Sequence, residues 1–160
     1  MGSIGNYSKQ VKFEHTIFAL PFALIGFFFV LEQKNSSLSF RLLILVLLCM
    51  VFARNTAMGL NRFLDREFDK LNPRTALRKI PAGILKSKSV LFFVIINVIL
   101  FIATTWFINS LCFYLSPVAL FVILFYSYTK RFTPLCHFVL SLGLAIAPMG
   151  AYLAVAGKFD

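Results

Sequence analysis

The chain has 160 residues, 59% hydrophobic and 16% aromatic, with a formal net charge of +10 and a mean hydropathy of +0.84. Soluble domains average about 45–50% apolar, and the excess here lies in long runs, so a soluble fold is excluded and a membrane protein indicated. The charges sit between the apolar runs rather than along one face, which suits membrane topology and argues against nucleic acid as a partner.

The N-terminus carries Lys9 and Lys12 ahead of an apolar run from Thr16 to Leu31. No small-residue cleavage site of the A-x-A kind follows, so the reading is a retained anchor rather than a signal peptide. Asn6 stands where a myristoylation signal needs Ser or Thr. The run contains Pro21 and Gly26, both tolerated in membrane helices. It is short of the roughly 20 residues needed to span, so flanking residues or a broken helix would have to complete it.

The second segment begins near Leu38 and stays apolar to Ala53. It continues, increasingly polar, through Arg54, Asn55, Asn61 and Asp65 to about Asp69. The third runs from Ser89 to Ile108, the fourth from Leu111 to Tyr126 and the fifth from about Pro134 to Ala156. Alternate connections are rich in Lys and Arg, above all the stretch from Arg62 to Lys88 and the turn at Lys130-Arg131. The positive-inside rule places these in the cytoplasm, with five crossings, the N-terminus inside and the C-terminus outside. The expected fold class is all-α, a multi-pass bundle forming one unit over residues 1–160. Cys49, Cys112 and Cys136 lie in or beside apolar runs without metal-ligand spacing and read as packing residues.

The chemistry concentrates at the end of the second segment. Asn61, Asp65 and Asp69 are spaced by four, and on a helix each such step turns a side chain by only about 40°. A carboxamide and two carboxylates then share one face. Two like charges at this spacing repel unless a cation neutralises them. Oxygen ligands suit a hard ion, and Mg²⁺ takes one or two carboxylates plus waters and substrate phosphates. The competing reading is a solvated helix end whose acids pair with Arg62, Arg66 and Lys70.

The next stretch, Asn72 to Gly83, is basic and contains Pro73 and Pro81, with Arg74 and Arg78 four apart and Lys79 adjoining. Guanidinium forks match phosphate oxygens. A cytoplasmic loop would explain these charges alone, but not why the acids are kept together. Tyr126-Ser127-Tyr128-Thr129-Lys130-Arg131 is a further aromatic and cationic cluster, with an interfacial anchor as its alternative. Arg54 interrupts an apolar run and needs a cavity or a partner. His15 and His137 read as interface residues.

Asn61-x-x-x-Asp65-x-x-x-Asp69 resembles the first aspartate-rich motif of the UbiA prenyltransferase family. Arg74-Thr75, Arg78 and Ile80-Pro81-Ala82-Gly83 resemble the family's loop after that motif, and Tyr126 to Thr133 its tyrosine-lysine-arginine segment. Lys12 to Pro21 looks like the opening of bacterial 4-hydroxybenzoate polyprenyltransferases. The resemblance implies a helical bundle of nine membrane segments, of which this chain holds the N-terminal five, around a cavity open to lipid. It implies transfer of a polyprenyl group from its diphosphate to an aromatic acid, 4-hydroxybenzoate on the ubiquinone route first and a menaquinone-route acid second. The setting implied is the bacterial inner membrane, with the site loops in the cytoplasm. By carry-over Asp65 and Asp69 are the catalytic, Mg²⁺-holding residues. Asn61, Arg62, Arg74, Arg78, Lys79, Tyr128, Lys130 and Arg131 contact the diphosphate or the acceptor.

One departure matters. The family carries a second aspartate motif after the fifth segment, whereas here the only acid after Asp69 is Asp160. The chain reads as a fragment or a truncated product, with little activity expected of the 160 residues alone. A non-catalytic bundle would use the same spans but would bind no prenyl diphosphate.

Overall fold

Lipid offers no hydrogen bonds to the backbone, so apolar runs of this length satisfy their own N–H and C=O groups by becoming helices. The computed structural model describes residues 13–33, 39–71, 86–129 and 136–158. Five helices occupy them: α1 Phe13–Gln33, α2 Phe40–Leu71, α3 Ser87–Ile108, α4 Ser110–Thr129 and α5 Cys136–Ala156. Each apolar run of the sequence becomes one helix. The first run recruits its flanks, extending from Thr16 back to Phe13 and from Leu31 on to Gln33. α2 to α5 are long and apolar enough to cross a membrane, and α1 is 21 residues long. Large side chains such as Phe29, Phe92, Trp106 and Phe121 are exposed on the bundle's outside, where lipid removes the usual penalty.

A core cluster fixes the direction of every helix. Phe27 of α1, Val46 of α2 and Ala151 and Ala154 of α5 pack together, with Ile108 of α3 and Cys112 of α4 against them. The C-terminal parts of α1, α3 and α5 thus meet the N-terminal parts of α2 and α4. The helices alternate in direction, and the C-terminal turns of α2 lie at the opposite end, beside the start of α3 and the end of α4.

Asn109 closes the core end. Its backbone is extended, at φ −164° and ψ 164°, and its Oδ1 accepts from the Cys112 backbone N–H at 2.7 Å, capping α4. Its Nδ2 donates to the Leu153 carbonyl at 3.0 Å, near the end of α5. The same Nδ2 lies 3.4 Å from the Ala154 carbonyl, so one side chain serves the ends of two helices. Pro117, inside α4, cannot donate to the Phe113 carbonyl one turn earlier. The Ser116 hydroxyl takes over, donating to that carbonyl at 2.8 Å.

The packing of α1 on α5 turns on Gly26. A Cβ there would lie 2.5 Å from the Pro148 carbonyl oxygen and 2.9 Å from its Cα, so only glycine permits this approach. α2 is the longest helix, 32 residues, or about 48 Å against a hydrocarbon thickness of about 30 Å.

Candidate functional site

The last turns of α2 carry the acidic row on one unbroken helix. Asp69 is buried, at 7% exposure. Asn61 and Asp65 are half-buried, whereas Glu67, Phe68 and Lys70 are exposed. The helix is therefore turned so that Asp69 faces inward and Glu67 outward, and at a spacing of four Asn61 and Asp65 lie within about 80° of Asp69 around the same continuous helix. A carboxylate this deep needs a positive partner or strong donors to remain charged.

The basic neighbours are drawn the other way. Glu67 takes Arg66 through Nε at 3.3 Å and Lys70 through Nζ at 3.3 Å. Arg66 also donates from Nη1 to the Phe63 carbonyl at 2.8 Å and lies 4.4 Å over the Phe63 ring. These exposed pairs add little stability, a few tenths of a kcal/mol each, but they direct two cations to the outward acid. Of the three cations in the competing reading, Arg62, Arg66 and Lys70, the last two thus engage Glu67. Among the described residues no three His, Cys, Asp or Glu side chains gather as a metal cluster. Two carboxylates and an amide leave the remaining coordination to waters and phosphate, the habit of Mg²⁺.

Deeper on α2, Arg54 falls within about 20° of both Asn61 and Asp65 around the helix and about 10 Å below Asn61. It is half-buried, and its buried Nε has no hydrogen-bond partner. A cation in an apolar span whose Nε finds no acceptor among the described residues marks a place for an anion. Tyr126 and Tyr128, on the last turn of α4, reach the same end of the bundle; Tyr126 is half-buried and Tyr128 exposed. Arg74, Arg78, Lys79, Lys130 and Arg131 lie outside the described residues. His137 is exposed, and Cys49 and Cys112 are half-buried free thiols.

One polar contact at this level was not anticipated from the sequence. Asn55 Nδ2 donates to Asn97 Oδ1 of α3 at 3.1 Å. A single Asn within the apolar run of α3 was the available signal.

Comparison with known proteins identifies the family. The model of the UbiA prenyltransferase family matches residues 19–160. The chain belongs to the UbiA prenyltransferase family. It is an integral membrane protein by that membership and by its helices. It is 33% identical over 120 residues to a 4-hydroxybenzoate octaprenyltransferase of Tolumonas auensis, covering 75% of this chain and 42% of that protein. It is 34% identical over 116 residues to the enzyme of the same name from Aliivibrio fischeri strain MJ11, covering 72% and 40%. The chain thus spans less than half the length of these relatives. Among solved structures, the apo UbiA homolog from Aeropyrum pernix K1 superposes with a TM-score of 0.82 at 31% identity, over 90% of this chain and 51% of that one. A UbiA homolog from Archaeoglobus fulgidus, bound to DMAPP and Mg²⁺, gives 0.78 over 96% of this chain and 55% of that one. At 22% identity that likeness speaks for the fold alone.

Proposed function

We propose that this UbiA-family chain forms the first diphosphate-gripping half of a site that transfers a polyprenyl group to 4-hydroxybenzoate on the ubiquinone route. The observation that carries it is the row Asn61-Asp65-Asp69 on one helix, with Asp69 buried and Glu67 holding Arg66 and Lys70 on the outside. The names of the bacterial relatives support the acceptor.

Asp65 and Asp69 are the residues to hold Mg²⁺, and Asn61 can offer its amide oxygen to the ion or its NH₂ to a phosphate oxygen. Mg²⁺ bound there supplies neutralising charge to a diphosphate leaving group. Arg54 receives the acceptor carboxylate, which satisfies its buried Nε and turns the far side of the ring toward Asn61. The 10 Å between them, as about 10 Å of helix axis, accommodates one aromatic ring and a reacting contact of about 3–3.5 Å. The allylic C–O bond breaks with its electron pair leaving on the diphosphate. The ring carbon beside the hydroxyl supplies the pair for the new C–C bond, and the ring proton leaves to water. Helix faces that exclude water protect the allylic cation from hydrolysis. Arg62, Arg74, Arg78, Lys79, Tyr128, Lys130 and Arg131 are assigned to the diphosphate or the acceptor at the cytoplasmic mouth.

The test is binding of radiolabelled farnesyl diphosphate to the chain in nanodiscs. Binding should require Mg²⁺, vanish in Asp65→Asn and persist in Glu67→Gln. Equal binding by wild type and Asp65→Asn ends the assignment.

A further inference from the structure

We propose that Asn97, acting through Asn55, is a positioning residue that sets the rotation of α2 and so aims its acidic row. The functional weight of that aim rests on the reading above. Helices in lipid gain nothing from hiding apolar faces from one another, so small residues and polar contacts choose their geometry. α3 is apolar nearly all round, and its shape alone would accept α2 in several rotations.

Two contacts choose one of them. Asn97 is buried, at 4% exposure, and its Nδ2 is anchored on its own helix, donating to the Phe93 carbonyl at 2.8 Å. That leaves its Oδ1 fixed toward α2, where it accepts from Asn55 at 3.1 Å. One turn nearer the acids, a Cβ on Gly59 would stand 2.7 Å from Val94 Cγ2. Val94 is buried and β-branched, with little rotamer freedom to yield. Asn55 with Asn97 and Gly59 with Val94 form an antiparallel seam, polar at one point and closely fitted at the next. Asp65 lies about 80–120° around the helix to one side of that seam, and Glu67 about 80–120° to the other. A rotation of α2 therefore carries one toward α3 and the other away.

This symmetry separates rotation from loosening. In a chain with Cys49, Cys112 and Cys136 changed to Ser, Asp65→Cys and Glu67→Cys are each modified by a membrane-impermeant thiol reagent in nanodiscs. Adding Asn97→Leu should change the two rates by at least threefold in opposite directions, with helix content unaltered. Gly59→Ala should also shift the two rates oppositely, and Val94→Ala combined with it should restore them. Asn97→Asp, which keeps an acceptor for Asn55, should stay near the parent values. Rates that rise together, or do not move, overturn the proposal. Labelling needs no ligand, so a failure of diphosphate binding would count against the site and leave the rotation result standing.

Discussion

Gly26→Ala puts the packing of α1 on α5 to a quantitative test. The added methyl would stand 2.5, 2.9 and 3.0 Å from the oxygen, Cα and carbonyl carbon of Pro148. Comfortable carbon contacts begin near 3.5 Å, so α1 must retreat by about 1 Å. The obstacle is backbone held by a proline, so no rotamer change relieves it. A retreat of that size forfeits a quarter to a half of each dispersion well across the contact that includes Phe27 and Ala151. Overpacking costs about 1–3 kcal/mol in general, and a backbone clash belongs at the upper end, about 3 kcal/mol. Gly143 and Gly150 on the same α5 have nothing within 4 Å of an added Cβ. Alanine there should be neutral or stabilise by up to about 1 kcal/mol. SDS-induced unfolding in mixed micelles, followed by helical circular dichroism, measures all three. A Gly26→Ala chain within about 0.5 kcal/mol of wild type, or no worse than Gly150→Ala, refutes the reasoning.

The same unfolding assay checks the other structural devices. Asn109→Ala removes the cap on Cys112 and the donor to Leu153 and should cost about 1–3 kcal/mol; Asn109→Asp keeps the cap and should fall between. Gly157 ends α5 at φ +70° with its N–H donating to the Leu153 carbonyl at 2.9 Å, so Gly157→Ala should cost about 1–2 kcal/mol. At the acidic end, Asp69→Ala should abolish Mg²⁺-dependent farnesyl diphosphate binding, while Glu67→Ala should preserve it and shift stability by less than about 0.5 kcal/mol. Chelation by EDTA should release bound farnesyl diphosphate, and excess Mg²⁺ should restore it.

The helices were legible because membrane spans announce themselves through length and apolarity, and α2 to α5 follow the apolar runs closely. The acidic row was legible because a spacing of four forces a shared face once the helix exists. Which way that face turns was not, since apolar surroundings give no periodic clue to rotation; the burial of Asp69 against the exposure of Glu67 supplies it. The seam at Asn55-Asn97, the fit of Gly26 on Pro148 and the double cap at Asn109 join residues 42, 122 and 44 positions apart (97−55, 148−26, 153−109). Contacts of that range leave single residues in the sequence and no pattern. Arg54 shows the middle case: its cost in lipid was evident from composition, while its alignment with Asn61 and Asp65 needed the helix to be continuous through all three.

The overhang of α2 has a consequence for where chemistry can happen. A helix about 18 Å longer than the oil it crosses stands like a mast, its foot at one face of the oil and its head among lipid phosphates beyond the other. The thickness of the host bilayer then sets how far the acidic end of the helix clears the oil. A membrane thicker by one helical turn, about 5 Å, would draw Asn61 toward the oil or have to thin around the helix to keep it in contact with water.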